Sequence, residues 1–172
     1  VQHVKEIENP EAFKNIPFDI RKTSMLLFIN ELIYKAVREE EANEELFRFI
    51  RNSLLELDSA EEDTGNFHLW FTLQLTKYLG FYPRNNFSEA NKLFDLQEGH
   101  FISDVPLHEN HLNAEMSHAM SRLIAAASPP EIPARNAATR NRLLDALMDY
   151  YSLHLPNFGE IKSHEVLKKV LN

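Results

Sequence analysis

Apolar residues recur at spacings of three and four along most of the chain and outline a series of amphipathic helices. The densest stretch is Phe67 to Leu79, followed by Gly80-Phe81-Tyr82-Pro83. As a helix it gathers Phe67, Trp70, Phe71, Leu75, Tyr78 and Leu79 on one face, and Leu69 and Leu73 widen that face. Only His68, Thr72 and Thr76 leave a narrow polar stripe, so this helix is expected at the centre of the fold with other helices wrapped around it. Thr64 is the expected N-cap, while Gly80 supplies a left-handed C′ residue and Pro83 the stop. Burying the aromatic and leucine side chains, at roughly 1.5–3 kcal/mol each, outweighs what exposed ion pairs contribute.

The flanking segments read as partners for that helix. Asn9-Pro10-Glu11 predicts a short helical turn ending before Pro17, and a long helix follows from about Asp19 to Glu40 with Met25, Leu26, Ile29, Leu32, Ile33 and Ala36 inward. Asn43 caps a second helix carrying Leu46, Phe47, Ile50, Leu54 and Leu57, and the short joint predicts an antiparallel pair. The acidic run from Asp58 to Asp63 is expected to be a solvated loop. Helical periodicity then fails between Phe81 and Leu107, where residues 93–102 predict two short strands turning at Gln97-Glu98-Gly99. Asn110 opens the next expected helix, with Leu112, Met116, Ala119, Met120 and Leu123 inward and Ala125 to Ala127 as its tail before Pro129-Pro130. A long helix from about Ala134 to Leu155 and a short one capped by Ser163 complete the chain.

At 172 residues and 44% hydrophobic content, one domain can build its core without staples. The chain has no cysteine, which removes thiolate zinc sites, disulfides and thiol chemistry. No run approaches the roughly 18–20 apolar residues of a membrane span, and no signal-peptide pattern opens the chain, so a soluble, cytoplasmic protein is expected. A formal net charge of −8 argues against a domain devoted to holding phosphate backbones and confines any DNA contact to a local patch. The abrupt start at Val1 suggests a piece of a longer protein.

Phosphate-binding loops, dinucleotide fingerprints and nucleophile elbows are absent from the sequence. The metal candidate is His108, His111, Glu115 and His118, the last three sharing a face if they lie on one helix, and this pattern carries the alternative of a metal-dependent helical hydrolase. On the last long helix, Arg135, Thr139 and Arg142 fall on the outer side and Arg140 on the apolar side with Leu144, Leu147 and Tyr151. Arg140 reads either as a stem packed on the core rim or as an anion contact beside an apolar pocket. Lys162, just before the Ser163 cap, would form a second anion site with the free amides of the last helix, and Lys168 and Lys169 could extend it.

Taken in order, the helical pair containing Met25 to Leu32 and Asn43 to Phe47, the run Phe67 to Pro83, the hairpin ending in Gly99, and Ile161-Lys162-Ser163 resemble the C-terminal helical domain of the RecO family of DNA repair proteins, in its Bacteroides-type form. The resemblance spans residues 1–172. It implies a mainly α fold, a helical bundle around a central buried helix with a small β-hairpin insertion, and an N-terminal OB-fold upstream of Val1. It also implies a recombination mediator that is not an enzyme, anneals DNA strands, and loads RecA together with RecR and single-strand-binding protein. Single- and double-stranded DNA would be held mainly by the OB-fold. Many family members carry a four-cysteine zinc module after the Leu-Gly-Phe-x-Pro element; this chain lacks those cysteines, so no cofactor is expected, and the hairpin must be held by Phe87, Leu93, Phe94, Leu96, Phe101 and Ile102. In the family the helical domain receives the acidic, apolar-ended tail of single-strand-binding protein, for which Arg140, Lys162 and Arg142 have suitable chemistry. A helical ligand-binding regulator domain is the third reading.

Overall fold

The computed structural model describes residues 12–38, 42–61, 64–129 and 136–171. Its helices are α1 (Ile20–Ala36), α2 (Glu44–Ser59), α3 (Phe67–Leu79), α4 (Ala114–Ala125), α5 (Ala137–His154) and α6 (Ser163–Val170), with a hairpin of β1 (Leu93–Asp95) and β2 (His100–Ile102) between α3 and α4. Four helices, α1, α2, α4 and α5, pack around α3, while α6 lies against α1 and α5. The fold is therefore mainly α with a central helix and a small hairpin, as the hydrophobic pattern predicts.

Local chemistry sets most of the helix ends. Asp19 accepts the Arg21 and Lys22 amides, Asn43 that of Leu46 at 3.0 Å, Asn113 that of Met116 at 2.9 Å, and Asn136 that of Thr139 at 2.7 Å. Gly80 ends α3 at φ 85°, a conformation that costs glycine no Cβ clash. The caps expected at Thr64 and Asn110 are different. Thr64 lies in a 3-10 turn, Thr64–Asn66, and Asn66 is the N-cap of α3 without a side-chain cap bond. The helix expected from Asn110 begins four residues later because residues 110–112 are extended: Leu96 donates to the Asn110 carbonyl at 3.0 Å, and Leu112 donates to the Phe94 carbonyl at 2.8 Å.

The polar stripe of α3 faces protein, and the half-exposed side lies elsewhere on the helix. His68, Thr72 and Thr76 are all buried, and each threonine satisfies its hydroxyl on its own helix, Thr72 on the His68 carbonyl at 2.7 Å and Thr76 on the Leu73 carbonyl at 2.6 Å. Tyr151 of α5 then donates to the Thr72 carbonyl at 2.7 Å, tying the two helices inside the core. The half-exposed side of α3 instead carries Trp70 and Tyr78, with exposed Lys77 between them.

Other boundaries shift for identifiable reasons. α1 ends at Ala36, with Val37 extended at ψ 117°, rather than reaching Glu40, which lies outside the described residues. The helical turn expected to open at residues 9–11 lies outside the described residues, and a 3-10 turn at Ile16–Phe18 includes Pro17. α2 runs through Asp58, which is buried instead of solvated: it accepts the amides of Lys14, Asn15 and Ile16 at 2.8–2.9 Å, while buried Lys22 donates to the Asp58 and Ala60 carbonyls. Residues 62 and 63 of that acidic run, Pro130, Pro133 and Arg135 lie outside the described residues.

The hairpin pairs Leu93 with Ile102, Phe94 with Phe101 and Asp95 with His100. Phe94 and Phe101 pack edge to face at 4.9 Å, and Phe87 meets Phe101 at 5.3 Å, so aromatic packing holds the insertion. Gly99 turns at φ 67°, and a Cβ there would sit 2.6 Å from the Tyr150 hydroxyl. Both outer edges are satisfied. Asn86 brackets Phe101, accepting from its amide at 2.8 Å and donating to its carbonyl at 2.9 Å, and Phe94 donates to Ser117 Oγ at 2.8 Å while accepting from Leu112.

Candidate functional site

Of the cations singled out in the sequence, Arg140 and Lys168 tie α6 to α5, and Lys162 and Lys169 lie exposed near its two ends. Arg140, half-buried near the start of α5, donates to the Leu171 carbonyl just beyond the C-terminus of α6 at 2.6 Å. Lys162 immediately precedes α6, so the eight-residue helix separates these two positions by roughly 12 Å and they do not form one pocket. Arg142 is exposed and reaches Glu115 of α4 at 3.4 Å. Thr139 is half-buried at the α5 N-terminus.

The N-terminus of α6 already holds a carboxylate. Ser163 is its first residue and does not cap it; Glu31, one and a half turns from the end of α1, accepts from the Lys162 amide at 3.0 Å, the Ser163 amide at 2.8 Å and the Ser163 hydroxyl at 2.6 Å. The free amides expected for an external anion are therefore bonded from within the chain. Burial alone would raise the Glu31 pKa, but the Ser163 hydroxyl, the two amides and Lys35 at 3.5 Å together hold it at about 2. Lys35 also reaches the Glu160 carbonyl, and Arg38, just beyond α1, donates to the Asn157 carbonyl at 2.8 Å, so two further contacts hold the loop that leads into α6. Of the two lysines near its C-terminus, Lys168 pairs with Asp145 and Glu165, and Lys169 is exposed. Sequence reasoning missed Glu31 because its partner lies 132 positions away; the available signal was an acidic residue set between the apolar residues 25–29 and 32–33.

The histidine cluster is not assembled. His111 sits in an isolated bridge with Asp95, before α4 begins, and His108 Nε2 lies 3.2 Å from Asp95 Oδ2. Glu115 is engaged with Arg142, and the His118 ring packs near Phe87 at 5.6 Å. Only Glu115 and His118 are on the helix, so the shared ligand face that motivated the metal-hydrolase reading does not exist. Among the described residues, Asp145, His164 and Glu165 do bring their ligand atoms within 4.8 Å of one another, but Lys168 already bonds both carboxylates. His68 is buried in the core with its ring edge-to-face to Phe28 at 6.5 Å. Burial first, and the positive charge of Arg140 second, push its pKa down to about 3 and keep the imidazole neutral at ordinary pH.

Helices latched by internal carboxylates and cations, with an aromatic hairpin packed on their side, define a mainly helical domain. The chain belongs to the RecO family: residues 17–164 match the family described as "Recombination protein O C terminal". It is 33% identical over 170 residues to the DNA repair protein RecO of Phocaeicola vulgatus, covering 98% of this chain and 70% of that protein. The RecO of Bacteroides fragilis is 33% identical over 171 residues, covering 98% and 71%, and that of Flavobacterium johnsoniae 34% identical over 176 residues, covering 100% and 71%. No solved structure matches the chain significantly. No helix among the described residues is long and apolar enough to cross a membrane.

Proposed function

We propose that this chain is the helical interaction domain of a recombination mediator in DNA repair. The observation that carries the reading is the continuous similarity to RecO proteins over 98–100% of the chain. The mediator acts in the cytoplasm without making or breaking covalent bonds, and loads a recombinase together with RecR and single-strand-binding protein. An OB-fold in the remaining length of the relatives supplies most of the contact with single- and double-stranded DNA; the −8 charge of this chain accords with that division. No metal or other cofactor takes part. The acidic tail of single-strand-binding protein meets exposed Lys162 and Arg142, with Arg140 as a third contact at the opposite end of α6 from Lys162.

A pull-down of purified RecR and single-strand-binding protein on the immobilised chain tests the partners; failure to retain either one refutes the reading. In fluorescence anisotropy with a labelled acidic tail peptide, Lys162→Ala with Arg142→Ala is expected to weaken binding, and unchanged affinity would remove those residues from the interface. Tight, salt-sensitive binding of an oligonucleotide by this chain alone would contradict the assignment of DNA affinity to the OB-fold.

A further inference from the structure

The groove between α2 and α3 has aromatic walls and unpaired negative charge. It is an open groove of about 460 Å³ lined by Phe49, Trp70 and Tyr78 together with Glu45, Arg48 and Glu56. Phe49 stacks on Tyr78 at 4.7 Å and lies 6.1 Å from Trp70, forming a continuous ring surface. These three side chains remain half-exposed although α3 is the most apolar segment of the chain; the Trp70 Nε1 itself is buried and has no hydrogen-bond acceptor among the described residues, so it is the ring and not its N–H that faces the groove. Large aromatics left partly hydrated beside a cavity forgo burial that the fold grants to Phe67 and Phe71 on the same helix.

The charges select the occupant. Arg48 is turned to Glu44, donating to its backbone carbonyl at 3.3 Å and its carboxylate at 3.4 Å. Glu45 and Glu56 are exposed, and neither carboxylate has a partner among the described residues. Eleven residues apart on α2, they lie on the same side of the helix and roughly 16 Å from each other. The ring faces add the negative side of their quadrupoles. A phosphate or an acidic peptide entering here would meet like charge, whereas a lysine or arginine can lay its methylenes on the rings and bring its head to a carboxylate.

We propose that this groove docks a cationic segment of a partner protein, an extended or helical stretch presenting Arg or Lys toward Glu45 and Glu56. The proposal stands independently of the DNA-repair reading. Trp70 is the single tryptophan of the chain, so its emission reports directly on the groove. Titration of the chain with an acetylated, amidated hexa-arginine peptide is expected to give a saturable change in Trp70 fluorescence. Glu45→Gln with Glu56→Gln should weaken binding about five- to tenfold, the sum of two exposed charge contacts. Glu109→Gln with Glu115→Gln removes the same charge outside the groove and should stay within about twofold. A folded Tyr78→Ala variant, checked by circular dichroism, should also bind more weakly. An absent fluorescence response, equal loss in both double variants, or tighter binding of a hexa-glutamate peptide or an oligothymidylate would overturn the proposal. Because all four glutamates are exposed, their variants keep the fold and leave the comparison decisive.

Discussion

Replacing Glu31 tests whether α6 is held by a carboxylate that belongs to another helix. Its oxygens accept from two amides and one hydroxyl at 2.6–3.1 Å, and its pKa falls from an ordinary 4.5 to about 2. A shift of that size corresponds to about 3.4 kcal/mol of linkage if fully expressed. The side chain is 22% exposed, so screening by solvent reduces the contribution to about 2 kcal/mol. Glu31→Ala should therefore lower unfolding free energy at pH 7 by about 2 kcal/mol, equivalent to a fall in Tm of about 4–8 °C for a chain of this length. Glu31→Gln retains an acceptor but no charge and should lose about half as much. The sign is fixed by the depressed pKa: the stabilisation is complete above about pH 4.5 and is lost as pH falls through about 2. Urea titrations at intervals between pH 7 and pH 2 measure it, and amide hydrogen exchange should show α6 opening more readily than α3 in the alanine variant. The reasoning fails if Glu31→Ala stays within about 0.5 kcal/mol of the parent, or if Glu31→Gln keeps the parental pH slope below pH 5.

Four further substitutions probe separate parts of the fold. Asp58→Ala leaves the amides of Lys14, Asn15 and Ile16 without their acceptor beside buried Lys22, and should cost about 3 kcal/mol in chemical denaturation. Burial raises the Asp58 pKa, but those bonds and Lys22 outweigh it and lower the pKa overall, so its contribution is also lost on acidification; a neutral loss below about 1 kcal/mol would contradict the geometry. Gly99→Ala combines a positive φ with a Cβ 2.6 Å from the Tyr150 hydroxyl and should cost about 2 kcal/mol by thermal melting, whereas Gly80→Ala, with open space around its Cβ position, should cost less. His68 is neutral when folded but protonates near pH 6.5 when unfolded, so stability should fall by a few kcal/mol as pH drops from about 6.5 toward 3. A His68→Gln variant lacks that phase, and an unchanged pH profile between 6.5 and 4.5, above the Glu31 window, would rule it out.

Features legible in the sequence were those decided within a few residues. Asn43 and Gly80 act on amides or carbonyls one turn away, so composition and spacing identify them, whereas Asn136 caps a helix expected to begin at about Ala134. The hairpin was equally visible because Gly99 and the surrounding Phe and Leu residues set its turn and packing locally. What escaped was decided at long range. Asp58 looked like part of a solvated acidic run until the amides of residues 14–16 were brought to it, and Ser163 looked like a cap until Glu31 took that role. His111 shared a hypothetical helical face with Glu115 and His118, but pairing with Asp95 kept it extended. Placing Arg140 on one helix and Lys162 just before another says nothing about how the ends of α6 are bonded, which contacts from α1 and α5 decide. Trp70 was correctly placed on α3, yet its half-exposed state depends on how far α2 covers it, which periodicity does not encode.

The hairpin bears on how partners can be recognised. With Asn86 covering one border and Ser117 and Leu112 the other, Phe94 and Phe101 offer an arriving polypeptide no vacant backbone rung. β-augmentation at these two positions would first have to break bonds the chain makes with itself. Specificity on this side of the domain must reside in side-chain chemistry, and variation among relatives can retune it without altering the main chain.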